Sequence, residues 1–389
     1  MFLIDRPFAS KFLIQTIKDN NYQIVSTQDA FEYINDESLN WISEAEAVHI
    51  LENAPNTPVY TNSENVVAWI DTHLSGSKLV SQIQIFKNKI KFRDLVQDSF
   101  PGFFYKPVNL KDILELKLKG IDFPFVIKPS LGFFSLDVHI INDITDWNTV
   151  KRKLSTKATQ SIFPEEVLNT STFIIEKYIE GDEYAIDCYF NKDGEAVILN
   201  ILHHRFSSKT DISDRLYSTS KEILLGYKTP IEAFIQSLGD KTGLRNFPLH
   251  VEIRIDSHGR IHPIEINPLR FGGYCTTGDL SWYAFGFNSY EYYIKNKKPN
   301  WEQVFQENED NTYSIVILNN TTGYTASDIA NFDYDLLLQD FEKVLTLRKL
   351  SIEKHSLFGY MFIQNSRGKK EELDNILTSN LRKYVDIKL

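Results

Sequence analysis

The stretch from Pro248 to Gly273, PLHVEIRIDSHGRIHPIEINPLRFGG, limits the possible folds of this chain more than any other. Its spacing predicts a two-stranded hairpin, with strands over about His250 to Ile255 and Arg260 to Ile266. Asp256-Ser257-His258-Gly259 forms the turn, with Gly259 free to take a positive φ. Strand side chains alternate faces, so His250, Glu252 and Arg254 share one side and Val251, Ile253 and Ile255 the other. Glu265 and Asn267 share a face of the second strand. Folding about the turn brings Glu252 nearly opposite Glu265, at a Cβ separation of roughly 5 Å.

Two carboxylates this close repel unless positive charge lies between them. A hard divalent cation with oxygen ligands meets that need, and Mg²⁺ is typically held by one or two carboxylates plus substrate phosphates. Asn267 adds a neutral carbonyl oxygen. Arg254 and Arg270 add forks suited to phosphate or carboxylate. An exposed hairpin with salt-bridged charges would account for Glu252 and Glu265 alone. Asn267, Pro268, Arg270 and the Gly272-Gly273 pair that follow weigh against it.

The segment HVEIR…PIEINPLRFGG resembles the metal-binding end of ATP-grasp enzymes, an acidic strand followed by E-x-N-P-R. It departs at Leu269, an extra residue between Pro268 and Arg270 that changes the expected direction of the arginine. Two more stretches are similar to the family in the same order. The apolar run Phe123-Pro-Phe-Val-Ile-Lys128-Pro129 resembles its V-x-K-P strand. A lysine closing a buried strand needs an anionic partner, and the resemblance supplies phosphate. STFIIEKYIEGDEYAIDCYF places a buried strand ahead of Glu176-Lys177-Tyr178-Ile179. Those four are similar to the hinge whose backbone reads the adenine edge, with Ile179 against the ring. Gly181 allows the turn, and Glu183 falls where the family accepts the ribose hydroxyls. The resemblance further implies a phosphate-binding lysine at Asn88-Lys89, with Lys87 and Lys91 as rivals. It also implies a loop over the phosphates at SLGFFSLD. That loop has Gly132 alone where the family is glycine-rich, and Ser130 or Ser135 is a candidate donor there.

The implied fold is α/β (α+β), an ATP-grasp fold. It has an N-terminal α/β pre-domain at 1–86, the ATP-grasp domain at 87–299 with a lid at about 110–190, and a small C-terminal α+β appendage at 300–389. The implied activity is an ATP- and Mg²⁺-dependent carboxylate–amine ligase working through an acyl phosphate, with Mn²⁺ as an alternative ion. Lys89, Lys128 and Ser135 would bind phosphate, and Glu252, Glu265 and Asn267 the metal. Arg254 and Arg270 would be catalytic. The expected partners are a small carboxylate and a small amine, amino acids or a peptide among them, and a homodimer is compatible. The rivals are a phosphotransferase on the same fold, a biotin-dependent carboxylase, and a non-catalytic ATP-binding protein, which the glycine-poor loop keeps open.

The 389 residues, 42% hydrophobic and 24% charged, suffice for two or three domains. A net charge of −10 gives no footprint for nucleic acid. No apolar run approaches the roughly 20 residues of a membrane span. The start MFLIDRPFASKF is not followed by a signal-peptide core. Two cysteines, Cys188 and Cys275, form no zinc spacing, and a cytoplasmic location is expected. Cys275, beside the Gly272-Gly273 turn, is read as a small residue and not as a nucleophile.

Elsewhere, strands over Phe2 to Ile4 and Tyr22 to Val25 alternate with helices over Ser10 to Asp19 and Asp29 to Ile34. Trp41 to Leu51 is open between strand and helix. Asn62-Ser63-Glu64 is read as the cap of a helix over Asn65 to Leu74. Further helices are expected over Thr145 to Leu154, Pro230 to Gly239, Leu280 to Tyr293, Asp335 to Val344 and Lys369 to Val385. The adjacent His203 and His204 point to opposite faces of a strand, which argues against a zinc site. Arg205 or Arg215 is a candidate for substrate contact.

Overall fold

In the N-terminal unit, helix starts are set by short polar caps. Ser10, Thr27, Ser43 and Ser77 each accept the backbone N–H three residues on, opening helices Lys11–Asp19, Gln28–Ile34, Glu44–Asn53 and Lys78–Lys87. Between them lies a four-stranded parallel sheet in the order Asn40–Ile42, Gln23–Val25, Phe2–Leu3, Tyr60–Thr61. The 41–51 segment therefore holds both a strand and a helix. The computed structural model describes residues 1–132, 137–156, 169–208, 211, 213–307, 311–366 and 368–388.

The expected cap at 62–64 narrows to Ser63. Helix Val66–His73 begins on Asn65, whose own side chain makes no cap bond, and Ser63 Oγ accepts the Asn65 N–H at 3.2 Å. Asn62 instead ties down the loop after the first strand. It accepts the Asp5 N–H at 2.9 Å and donates to the Asp5 and Phe8 carbonyls at 2.7 and 2.8 Å. Glu64 is buried, with a different role described below.

Residues 105–177 include an antiparallel sheet in the order Tyr105–Asn109, Asn169–Lys177, Phe125–Leu131, His139–Ile141. Helix Ile144–Thr156 packs its Trp147 against Phe125, so this lid has its own apolar core. The central element is an eight-stranded antiparallel sheet, in the order Ile261–Pro268, Phe247–Ile255, Asp182–Phe190, Ala196–Arg205, Leu216–Ser220, Asn311–Asn319, Leu357–Ser366, Val344–Lys349. Its last three strands come from the C-terminal 90 residues, so this α+β segment continues the sheet that carries the hairpin. A separate two-stranded ribbon, Ile329–Phe332 with Val385–Ile387, covers a second apolar cluster.

Several helix extents differ from expectation. Helix Lys221–Thr242 starts nine residues before Pro230, on the Ser220 cap. Proline costs one N–H, and the flanking turns and packing against the sheet carry the helix through. The Leu280 to Tyr293 stretch is split into Thr276–Phe285 and Ser289–Ile294 by Gly286 in the left-handed region. The Asp335 to Val344 helix is only Tyr334–Leu338, because Val344 already belongs to a sheet strand. The terminal helix is Glu371–Thr378, ending where the chain turns into the ribbon. No helix among the described residues is long and apolar enough to cross a membrane.

The lid and central sheet meet at Gly181. Its φ is +131°, and an added Cβ would lie 2.3 Å from the Ile255 carbonyl oxygen. Gly243 also has a positive φ, +63°, but open space around it. Gly181→Ala should therefore lower unfolding free energy by about 1–3 kcal/mol. Gly243→Ala should cost less, about 1 kcal/mol. Urea denaturation midpoints check this, and equal midpoints would contradict the close approach at Gly181.

Candidate active site

The hairpin forms in the predicted register. Glu252 pairs with Glu265 and His250 with Asn267. The ladder slips immediately afterwards, where Pro263, lacking an N–H, faces Ile253. Burial and the facing Glu265 carboxylate push the Glu252 carboxyl well above its ordinary range. Burial pushes Glu265 the same way, but Lys89, 2.9 Å from its Oε2, and Lys128 outweigh it and hold that carboxyl down. Asn267 is buried, and its amide makes no hydrogen bond among the described residues. Also among the described residues, no group of three or more His, Cys, Asp or Glu is poised to chelate a metal. Two carboxylates and one amide oxygen thus fit a hard cation that takes its remaining ligands from phosphate and water, and not a closed protein cage.

Across the cleft, Asn88 caps helix Lys89–Val96 by accepting the Ile90 and Lys91 N–H groups. This fixes Lys89 at the first turn, where its Nζ also donates to the Gly132 carbonyl at 3.0 Å. Lys128, on the lid strand, reaches Glu176 Oε1 at 2.5 Å, and Arg93 Nε reaches Glu176 Oε2 at 2.8 Å. All three are buried. Burial alone would raise the Glu176 carboxyl, yet Arg93 and Lys128 hold it at about 2. Burial lowers the Lys128 ammonium against the pull of Glu176. The Glu176 side chain thus lies in a buried ionic cluster beneath the hinge. Arg93 also donates to the Pro263 carbonyl at 2.7 Å, joining this cluster to the hairpin. Sequence reasoning missed Arg93, although it lies four residues after Lys89 on the same helix face.

At the hinge end, Glu183 receives His204 Nδ1 at 2.8 Å on one oxygen and Arg254 Nε at 3.0 Å on the other. Burial opposes ionisation of Glu183, but the His204 hydrogen bond and the Arg254 guanidinium keep its carboxyl below the ordinary range. Arg254 also donates to the Ile179 carbonyl at 2.6 Å and lies 5.2 Å from the Tyr178 ring centre. It therefore sits at the hinge. Lys177, Tyr178 and Ile179 line the same cleft, and the Lys177 N–H is bonded to the Phe104 carbonyl at 2.9 Å. His203 stacks on Tyr184 while His204 faces the cleft, the opposite orientation predicted for adjacent strand residues. Ser135, and residues 133–136 of the phosphate loop generally, lie outside the described residues.

The extra residue Leu269 is absorbed by a left-handed φ of +62°, and its carbonyl accepts the Thr61 N–H of the N-terminal sheet at 2.8 Å. Arg270 is thereby aimed at Glu64, with Nε 2.9 Å and Nη2 2.7 Å from Glu64 Oε1. Lys87 forms a buried ion pair with the other Glu64 oxygen. One carboxylate of the N-terminal unit thus fixes Arg270 and the helix end just before Lys89. Read as a helix cap, Glu64 gave no sign of this in the sequence. Also missed was Asp187, fully buried, which accepts His250 Nδ1 at 2.7 Å and the Gly272 N–H at 3.1 Å. It sits four residues after Glu183 on the same strand face, a signal the alternation carries.

Most of the residues expected to form the site line one open cleft. The cleft lies between the lid and the central sheet and holds Lys89, Lys128, the hinge, the hairpin acids and Arg270. Arg205 and Arg215 do not line it. Arg205 pairs with Asp374, and Arg215 donates to the Leu377 and Ser379 carbonyls at 2.9 and 2.6 Å.

Residues 121–278 match the ATP-grasp domain family. No curated protein matches the sequence. Among solved structures, the chain is similar to an L-amino acid ligase from Bacillus licheniformis, with TM-score 0.68, 16% identity, and 100% of this chain and 98% of that one covered. It is also similar to N5-carboxyaminoimidazole ribonucleotide synthetase from Thermotoga maritima, with TM-score 0.63, 15% identity and coverages of 99% and 98%. A third is the biotin carboxylase domain of 2-oxoglutarate carboxylase from Hydrogenobacter thermophilus, solved with MgADP and bicarbonate. There the TM-score is 0.63 with 10% identity and coverages of 100% and 90%. Residues 121–278 are an ATP-grasp domain, and the chain carries the ATP-grasp fold from end to end.

Proposed function

We propose that this protein is an ATP- and Mg²⁺-dependent ligase joining a carboxylate to an amine, with release of ADP and phosphate. The observation that carries the reading is the pairing of Glu252 with Glu265 beside Asn267, faced by Lys89 and Lys128 in one cleft. The ligases among its structural neighbours support the reaction class. A substrate carboxylate oxygen attacks the γ-phosphorus of ATP, and ADP leaves. The amine nitrogen then attacks the acyl carbon of the resulting acyl phosphate, expelling phosphate and losing a proton.

The chain's own part is positioning and charge neutralisation. Lys89 and Lys128 hold phosphate oxygens, exchanging part of their present pairing with Glu265 and Glu176 for the nucleotide. Glu252, Glu265 and Asn267 hold Mg²⁺, which when bound neutralises phosphate charge. Arg270, held from behind by Glu64, faces the transferring phosphoryl group or the substrate carboxylate. Arg254 serves the nucleotide end, because its guanidinium is taken up by Glu183 and the Ile179 carbonyl. From there it keeps Glu183 oriented toward the ribose.

Glu265→Gln keeps the shape but removes the charge that orients Lys89 and the metal. ADP release dependent on both a carboxylate and an amine should fall on the order of 10²- to 10³-fold. The test is ADP, AMP and phosphate release with Mg-ATP against pools of amino acids and small carboxylates. AMP as product, or turnover with an alcohol acceptor and no amine, would refute the ligase reading.

Glu176→Gln leaves Lys128 and Arg93 buried against a neutral group, so stability should fall by about 3–5 kcal/mol at pH 7. The native Glu176 carboxyl lies at about 2, below its ordinary value of about 4.3. Its stabilisation is therefore complete above the ordinary value and fades as pH falls toward 2. Urea unfolding at pH 7, 5 and 3 should show the gap between wild type and variant narrowing at pH 3. A gap independent of pH would contradict the assignment.

A further inference from the structure

The cleft extends well beyond the metal and hinge residues. It crosses the central sheet to Tyr217, Ile317 and Tyr360, and Tyr274, whose ring centre is 5.2 Å from that of Tyr360, lines it as well. Ile317 and Tyr360 come from the C-terminal strands. Tyr217 is three strands from Glu252 in the sheet order, roughly 14 Å between strand axes.

This distal half carries one acid, Asp214, whose nearest ionic neighbour, His204 Nε2, stays 3.9 Å from Oδ1. The Tyr217 hydroxyl donates to Asp214 Oδ1 at 2.7 Å and so orients the carboxylate. Oδ2 takes no hydrogen bond among the described residues, and the side chain is 38% exposed. The cations nearby are engaged elsewhere. Arg205 pairs with Asp374, Arg215 with C-terminal carbonyls and Arg348 with buried Asp279. His204, whose Nε2 is 3.9 Å from Asp214 Oδ1, makes its short contact to Glu183. The lysines and arginines that line the cleft belong to helix Lys89–Val96, the lid, the hinge, the hairpin and the turn after it. The cleft is thus cationic where phosphate is read and anionic, with aromatic walls, at the other end.

An oriented carboxylate beside aromatic rings is complementary to an ammonium group, which gains both ion pairing and attraction to the ring faces. We infer that Asp214, Tyr217, Tyr274 and Tyr360 form a subsite for an ammonium-bearing substrate with an apolar or aromatic body. The charged end rests at Asp214, and the reacting end reaches toward Glu252 and Arg270. The held ammonium stays protonated, so it is distinct from the nitrogen that attacks the acyl phosphate. The role of the subsite in catalysis rests on the ligase reading, but its binding chemistry does not.

Calorimetry separates the two. Tyramine and its uncharged counterpart 4-ethylphenol are titrated into the protein in the presence of Mg²⁺ and a non-hydrolysable ATP analogue. Tyramine should bind at least about tenfold more tightly. Asp214→Asn should erase that preference while leaving affinity for the ATP analogue unchanged, and Tyr360→Ala should weaken both amine and phenol. Equal binding of the two probes, no binding of either at millimolar concentration, or a preference that survives Asp214→Asn would overturn the subsite. No turnover is needed for this result, so a failed ligase assay would leave it standing.

Discussion

Two carboxylates, Glu252 and Glu265, are set side by side by strand register, and much of the cleft is arranged around that fact. At a cross-strand separation of roughly 5 Å, both cannot hold full charge without positive compensation. The protein supplies only part of it. Lys89 and Lys128 favour the charged form of Glu265, whereas Glu252 is pushed well above its ordinary range. That imbalance is an electrostatic opening for a divalent cation. The cationic side chains around it then suit the phosphates such a cation accompanies.

The compensation comes from separate parts of the chain held in place by buried ion pairs. Glu176 ties Lys128 of the lid to Arg93, and Arg93 ties both to the hairpin through the Pro263 carbonyl. Glu64 does the same from the N-terminal unit, gripping Arg270 and Lys87. Such pairs contribute little net stability, because desolvation offsets attraction, but breaking one leaves an uncompensated buried charge. Their effect is geometric. They place lid, linker helix and hairpin so that one nucleotide can meet all three.

The hairpin was legible in the sequence because period-two alternation and a four-residue turn fix register without outside information. Lys128 was legible because a lysine after an apolar run demands a partner, although the strand runs on past it to Leu131 and Glu176 meets that demand here. Glu64 was not, since its partners Lys87 and Arg270 are distant in sequence and a polar residue before a helix has a ready local explanation. The outcome of the Leu269 insertion was hidden too, because the left-handed turn that absorbs it depends on the Thr61 amide arriving from another sheet. The long helix through Pro230 was shortened by a local rule that tertiary packing overrides. In these three misses, the deciding interaction was non-local.

The claim that the opposed carboxylates exist to hold a metal with a nucleotide is tested most directly by the metal dependence of nucleotide binding. Affinity for ADP would be measured by calorimetry with Mg²⁺ and with chelator, in the wild type and in a double variant carrying Glu252→Gln and Glu265→Gln. The account predicts that Mg²⁺ tightens ADP binding in the wild type by about tenfold or more, and that the double variant binds ADP with no Mg²⁺ dependence. An unchanged Mg²⁺ effect in the double variant, or no Mg²⁺ effect in the wild type, would contradict it.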